Sequence, residues 1–334
     1  MNAIKKNLNI FFNLTKRHTI LFFKNKFAIF YSFMVPVVIL VIYILFLKDL
    51  EINSVNSILN EYGLILSNDE ELFRLVQGLV DSWMLSGILA VSCITVSLQT
   101  NYILVRDKES GVNKDFKASP VSKRVISSSY FVFNFIVTFL INIFFMIVCF
   151  IYLAYNGEFY LNFVNVLSII GVIILSCIIS SLVTVLLSSY IKKESSLSSI
   201  VAIASTAIGF LIGAYMPANL LPSFVSNICG FFVGTYSCGL FRFVFLQTPL
   251  NNLIDYLSLE SNNINNYQEI ITTLQNNFGF EINVFGYSVS AGYMALILVV
   301  SIIVLILVNV FTANQITKTS EDINLKRIFK KKEN

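Results

Sequence analysis

Few side chains in this 334-residue sequence have the types and spacing that metal binding or redox chemistry requires. The only histidine is His18, and no Cys-x-x-Cys pair or Cys/His cluster occurs, so we expect neither a metal site nor a disulfide framework. We interpret the cysteines as small apolar fillers, and pairing of Cys229 with Cys238 is the one alternative. The five cysteines are Cys93, Cys149, Cys177, Cys229 and Cys238.

Nucleotide hydrolysis by the chain itself is also not expected. A P-loop surrounds phosphates with backbone amides and a lysine in the pattern Gly-x-x-x-x-Gly-Lys-Ser/Thr. None of the 14 glycines is followed by lysine. The sequence also lacks His-Glu-x-x-His and paired carboxylates within an apolar run, so we predict that the chain is not an enzyme.

The segment 106–123 is the most informative polar stretch. It runs Arg106-Asp107-Lys108-Glu109-Ser110-Gly111, then reaches Phe116, and ends in Ala118-Ser119-Pro120-Val121-Ser122. Glycine permits a turn at its start and proline stops a helix at its end. We predict a charged hairpin with a short helix of a size to fit a groove on a soluble protein; taken alone, however, a basic hairpin is more often a simple topology signal.

The composition predicts a membrane protein. Hydrophobic residues make up 56% of the chain and charged residues only 13%, whereas a soluble domain is about 25% charged. A helix needs about 20 apolar residues to cross a bilayer. We therefore predict an all-α polytopic membrane protein with one membrane domain, 1–334. Its six predicted spans are 27–47, 80–104, 125–154, 163–191, 198–215 and 288–313.

The distribution of basic residues predicts the orientation of these spans. All but three of the 23 lysines and arginines fall on one side of the predicted topology, namely all except Lys48, Arg74 and Arg242. The positive-inside rule makes that side cytoplasmic. Both termini, including a basic tail at 314–334, are then cytoplasmic, and the loops 48–79 and 247–287 are extracytoplasmic. Asn- and Ile-rich usage is typical of an AT-rich bacterial genome.

The first 26 residues are predicted to form an amphipathic helix. Apolar Ile4, Leu8 and Phe11 share one face at helical spacing, while Lys5 and Lys16 lie on another. Such a helix lies in the headgroup layer and binds membrane lipid. It is either a simple anchor or an elbow that transmits motion from a cytoplasmic partner.

The segment 106–123 resembles the coupling loop of type-2 ABC exporter permeases. That signature is roughly an acidic/basic pair, Gly-Thr, an apolar residue, and Ser/Thr-Pro-Val/Ile-Ser. Val112 replaces the usual threonine, and Asn113 and Lys114 stand where leucine and glutamate are common. The resemblance assigns the ATPase-coupling role to Arg106, Glu109, Gly111, Phe116, Ser119 and Pro120.

A second resemblance to the same family lies in Gly213-Ala-Tyr-Met-Pro217, followed by Leu220-Leu221-Pro222. There the family ends its fifth span and begins a re-entrant hairpin. The resemblance predicts such a hairpin at 217–245, before the last span, with Gly213, Pro217, Leu221 and Pro222 at its start. Broken helices at membrane depth are tolerated where protein buries them.

The resemblance implies a transport system rather than a complete transporter. An ABC ATPase subunit would dock on the loop and the N-terminal helix, and ATP and Mg²⁺ would bind on that partner. A second permease copy, identical or homologous, would complete a two-fold assembly. No nucleic acid partner is expected. The implied function is export of an amphiphilic cargo (a drug, an antimicrobial peptide or a lipid-like molecule) by alternating access.

The path through the membrane is marked by hydroxyl groups rather than charges. One stripe recurs every four residues; small hydroxylated residues let helices pack closely, so packing is the default interpretation and the lining of a conduit is the alternative. Asp81 and Arg242 lie at the outer ends of their segments, so we expect them at the membrane interface. The stripe is Ser176, Ser180, Thr184 and Ser188.

Two other functions remain open. An ion-driven secondary carrier usually shows an internal repeat and charged residues at mid-membrane, and neither is evident. A non-transporting membrane scaffold or immunity protein of the same fold has no distinguishing residues, and cargo efflux would discriminate it from an exporter.

Overall fold

The fold is almost entirely α-helical, which confirms the predicted fold class. A computed structural model describes residues 3–62, 64, 66, 69–119, 121–216, 221–259 and 267–316. The elements up to the middle of the chain are α1 (Ala3–Lys24), α2 (Lys26–Ile42), a π-helical turn (Tyr43–Leu47), α3 (Lys48–Glu61), α4 (Glu70–Thr100), α5 (Tyr102–Glu109), α6 (Val112–Ala118) and α7 (Lys123–Tyr155). Those that follow are α8 (Phe163–Tyr190), α9 (Glu194–Leu211), α10 (Ser223–Gly230), α11 (Val233–Leu259), α12 (Tyr267–Phe278), β1 (Ile282–Val284), β2 (Tyr287–Val289) and α13 (Ala291–Ile316).

Six helical stretches of the described chain are long and apolar enough to span a membrane. Each overlaps one of the six apolar runs found in the sequence. A seventh candidate is the pair α10 and α11, which meet at an angle of 96°. The six stretches are Lys26–Glu61, Glu70–Glu109, Lys123–Tyr155, Phe163–Tyr190, Glu194–Leu211 and Ala291–Ala313.

Helix α4 lies at the centre of the bundle. It packs against α2, α7, α8, α9 and α11, and nearly all of its most apolar stretch is buried. By contrast, α2, α9 and α13 leave most of their apolar stretches exposed. An apolar helix face without protein cover is stable only in contact with lipid or with another chain.

The first span is longer than its apolar run. Helix α2 begins after Asn25, whose side chain accepts a hydrogen bond from the Ala28 amide at 3.2 Å. The helix passes through the π-helical turn and continues as α3 to Glu61, so part of the predicted loop 48–79 is helical. Polar residues in α3 hide this continuation from a search for apolar runs.

The bend between α10 and α11 has a small β-hairpin beside it. The hairpin turns at Phe285 and Gly286, which both have positive φ, as a two-residue hairpin turn requires. Ser226 and Asn227 of α10 hydrogen-bond to the hairpin backbone at 2.7 Å each. The bent segment is therefore buttressed by protein, and α11 runs on to Leu259, beyond the predicted end at 245.

Candidate functional site

The segment 106–119 folds as the end of α5, a turn and the short helix α6. Gly111 has φ of 83°, a left-handed conformation that favours glycine, and it begins α6. Ser119 donates a hydrogen bond to the Phe116 carbonyl at 2.8 Å, while the Arg106 side chain is exposed. Pro120 lies outside the described residues. We call the end of the bundle that holds the segment 106–119 the basic end.

Asp107 joins three helices at the basic end. Arg17 of α1 donates to both carboxylate oxygens, with N–O distances of 2.7 and 3.0 Å. Tyr130 of α7 donates its hydroxyl to the same carboxylate at 2.6 Å. Since the Asp107 side chain is only 6% exposed, these charge-assisted bonds hold α1 against α5 and α7.

Lys108, the next residue, secures the end of α8. Its ammonium group donates to the carbonyls of Ser188, Ser189 and Ile191, at 3.1, 2.5 and 3.2 Å. The last carbonyls of a helix have no partner within it, and a cation there also meets the negative end of the helix dipole. Lys108 is buried, and these three carbonyls are the hydrogen-bond acceptors of its ammonium group.

Glu109 secures the beginning of α9. Its carboxylate accepts a hydrogen bond from the Glu194 amide, the first of α9, at 2.7 Å. Lys193, which precedes α9, makes no side-chain cap. Glu109 therefore satisfies an amide that α9 leaves open and places a negative charge at the positive end of the helix.

Asp107, Lys108 and Glu109, which we call the hub, thus bind four other helices through three consecutive side chains. The short helix α6 extends this network. The Arg17 guanidinium lies 5.8 Å from the centre of the Phe116 ring, and Asn113 donates to the Ile316 carbonyl of α13 at 2.7 Å. Helix α6 is therefore in direct contact with α1 and α13, and through Arg17 it is connected to the hub.

His18 is buried next to this network. Its ring stacks on Tyr130, with centroids 4.1 Å apart, and Arg17 Nη1 lies 3.1 Å from its Nδ1. Burial lowers the pKa of His18 to about 4, and the Arg17 charge adds to this, while Asp107 opposes it. His18 is therefore neutral at physiological pH and packs as an aromatic ring.

We predict that His18 makes the docking of α1 acid-sensitive. Its folded pKa lies below the usual value of about 6.5, so the unfolded chain binds the proton more readily between these values. The stability that neutral His18 contributes is fully present above pH 6.5. The free energy of unfolding then falls by about 3 kcal/mol as pH drops to about 4. Thermal unfolding across this range should show the loss in the wild type and not in His18→Phe. Equal pH slopes in the two proteins would contradict it.

The predicted start of the re-entrant segment surrounds a buried arginine. Gly213 has φ of 71° just after α9, and Leu221 and Pro222 precede α10, whereas Pro217 lies outside the described residues. Arg242 of α11 donates to the Gly213 and Ala214 carbonyls, at 2.5 and 3.3 Å. Its guanidinium lies 5.0 Å from the centre of the Trp83 ring.

Asp81 and Arg242, which the sequence predicts at the membrane interface, are both buried by protein. Asp81 is 0% exposed and Arg242 is 3% exposed. Lys48 of α3 donates to Asp81 at 2.7 Å, and Asn156 approaches the same carboxylate at 3.5 Å. A hydropathy pattern shows where such charges lie along a helix, but not that a lysine from another helix reaches them.

The stripe on α8 serves two purposes. Thr184 shares a hydrogen bond with Ser97 of α4, with the hydroxyl oxygens 2.6 Å apart, which is a packing contact. Ser176 and Ser180, together with Thr184, also line a cavity between α8 and its neighbours. Ser188 lies near the basic end, where its carbonyl accepts from Lys108.

Comparison with protein families places much of the chain in a known family. The family model described as ABC-2 family transporter protein matches residues 53–311. The matched region begins within α3 and ends within α13, so it includes the hub, α6 and the bent pair. No curated protein and no solved structure matches the chain.

Proposed function

The chain belongs to the ABC-2 transporter family, and from this membership we propose that it is the permease subunit of an exporter driven by a separate ATPase subunit. The ATPase binds ATP and Mg²⁺ and docks on α6, and the permease then moves an amphiphilic cargo outward by alternating access. The hub is the observation that carries this proposal, because it ties α5, which leads directly into the predicted docking helix α6, to α1, α7, α8 and α9.

These contacts support a mechanism of alternating access. ATP binding draws the two ATPase subunits together and displaces α6. Arg17 couples that displacement to α1, while Lys108 and Glu109 pass it to adjacent ends of α8 and α9. Because packed helices shift between discrete arrangements, a small displacement at the basic end changes which side of the membrane the path faces.

The orientation of the chain is part of the proposal. We place the basic end, both termini and α6 in the cytoplasm of a cell membrane, because the positive-inside rule assigns the side rich in lysine and arginine to the cytoplasm. An ATPase that uses cytoplasmic ATP then reaches α6 directly, and α12 and the β-hairpin lie outside.

We propose that a second permease copy meets the chain along α2 and α9. The exposed face of α13 is mostly aliphatic, at positions such as Leu296, Ile303 and Leu307, which suits lipid. The exposed face of α9 instead carries Ser198, Ser199 and other hydroxyl groups, and a recess of about 580 Å³ lies between it, α2 and α4. Polar groups on a span are expected to face protein or a water-filled path rather than lipid.

Docking of the ATPase is tested first by co-purification. We expect the tagged chain, extracted in mild detergent, to bring with it a P-loop protein that hydrolyses ATP. Asp115→Arg reverses an exposed charge on α6 and should remove most of that protein, whereas Asp255→Arg, on an exposed position of α11, should not. Co-purification unaffected by Asp115→Arg, or absent from the wild type, would contradict docking on α6.

Transport is tested separately by efflux. Cells that express the chain with its co-purifying ATPase should extrude a fluorescent amphiphile faster than cells with Asp115→Arg. An ATPase complex without efflux would instead support the non-transporting scaffold.

A further inference from the structure

A cavity of about 220 Å³ lies inside the bundle, among α4, α8, α9 and the first turn of α11. Its wall consists of aliphatic and aromatic side chains with a few hydroxyl and thiol groups, and it includes no charged side chain. A cavity with this lining suits an apolar group and disfavours an ion.

Ser176 gives the cavity a polar point. The residue is 1% exposed, and its hydroxyl has no hydrogen-bond partner within the described chain. Thr184, on the same wall, already pairs with Ser97. A buried hydroxyl without a partner costs free energy, so an oxygen on a bound molecule would remove that cost.

The beginning of α11 supplies further donors on the opposite wall. Val233 and Gly234 open this 27-residue helix and line the cavity. The first amides of a helix have no partner within it, and they lie at the positive end of the helix dipole. A Cβ at Gly234 would approach side-chain atoms of Ile94 and Ile212 to 2.8 Å, so only glycine brings this helix end so close.

The mouth of the cavity is apolar. Ile94, Val183 and Ile208 are half-buried, and Phe232 is exposed. The opening therefore faces the membrane interior or a second copy rather than water. The volume is below the roughly 300–1,000 Å³ of sites for drug-sized ligands, so it accommodates one end of a longer molecule.

We propose that this cavity binds the hydroxyl- or carbonyl-bearing end of an uncharged amphiphile, one molecule in each copy of the chain. The oxygen accepts from Ser176 or the first amides of α11, and the apolar chain leaves past Ile208 and Phe232. This proposal rests on the proposed transport function, because the bound amphiphile is cargo only if the chain transports it. It also places a cargo site within each copy rather than only between copies.

The test uses the full-length chain in lipid nanodiscs, without an ATPase. A diazirine analogue of 1-octanol is photoactivated, the adducts are mapped by mass spectrometry, and 1-octanol is the competitor. We expect adducts on the walls at 176–184 and 231–237. Ser176→Ala should raise the octanol concentration needed for competition about threefold to tenfold, the effect of one lost hydrogen bond. Ala90→Leu, which fills the cavity, should abolish these adducts.

The matched control is Ser92→Ala. Ser92 is also buried on α4 with a hydroxyl that lacks a partner in the described chain, but it does not line the cavity. Its variant should label like the wild type. Adducts spread evenly over α13, equal effects of Ser92→Ala and Ser176→Ala, or stronger competition by octanoate than by octanol would each overturn the proposal. Because no ATPase is needed, binding and efflux fail or succeed independently.

Discussion

Replacement of Asp107 by asparagine should release α1 from the bundle and uncouple ATP hydrolysis from efflux. The change removes the charge that Arg17 contacts through two hydrogen bonds, but leaves a side chain of nearly the same shape. The pair is partly buried, with 34% and 6% of the two side chains exposed. Its contribution should lie between that of surface and fully buried pairs, at about 2 kcal/mol.

This figure has a measurable consequence for the position of α1. About 2 kcal/mol corresponds to roughly a thirtyfold change in the ratio of docked to undocked α1. A spin label on the exposed position 12 of α1 should become markedly more mobile in Asp107→Asn. We expect efflux to fall in proportion to the docked fraction of α1, while the ATPase still co-purifies through α6.

Two comparisons make the Asp107 result specific. Asp49→Asn alters an exposed carboxylate on α3 and should change neither label mobility nor efflux. In a double-mutant cycle, Arg17→Ala should add little to Asp107→Ala, because both remove the same pair. Additive losses from the two alanine variants, or normal efflux in Asp107→Asn, would refute the coupling role of this contact.

Replacement of Lys108 by methionine should be the most destabilising change at the basic end. Methionine fills a similar volume, but it donates nothing to the three carbonyls that lie at the end of α8. Hydrogen bonds from a charged group contribute about 1.5–3 kcal/mol, and buried carbonyls left without donors add a further cost. We expect the free energy of unfolding to fall by about 3 kcal/mol.

The matched control for Lys108 is Lys193→Met. Lys193 lies in the same connection between α8 and α9, but its side chain is exposed, and the variant should change stability by less than about 0.5 kcal/mol. Unfolding in denaturant or by heat measures both variants. Unchanged or increased stability in Lys108→Met would mean that removal of a buried charge outweighs the lost cap.

The sequence reveals the spans because lipid requires each backbone group to be satisfied within its own helix. That requirement produces long apolar runs that need no tertiary information. Glycine and proline signals, which are also local, predict the turn at Gly111 and the short helix that contains Phe116. The sequence does not reveal α3 as a continuation of the first span, because Asn53 and Asn56 interrupt the apolar pattern.

The contacts of the hub are the part of the site that the sequence does not predict. The resemblance assigns Glu109 to the coupling loop, but it gives no role to Asp107 or Lys108. Their partners are 90 and 80 positions away for Arg17 and Ser188, so no local pattern connects them. The available signal was the alternation of charge in Asp107-Lys108-Glu109 directly after an apolar span, since charges that close to a span need partners.

The continuity of α4 and α5 has a mechanical consequence. Together they form a stretch of 40 residues from Glu70 to Glu109, which at 1.5 Å per residue is about 60 Å long, roughly twice the thickness of the hydrocarbon layer. Asp107, at one end, accepts hydrogen bonds from Arg17, and Asp81, nearer the other end, accepts one from Lys48. A rigid tilt of such a rod by about 1° would displace one end relative to the other by about 1 Å.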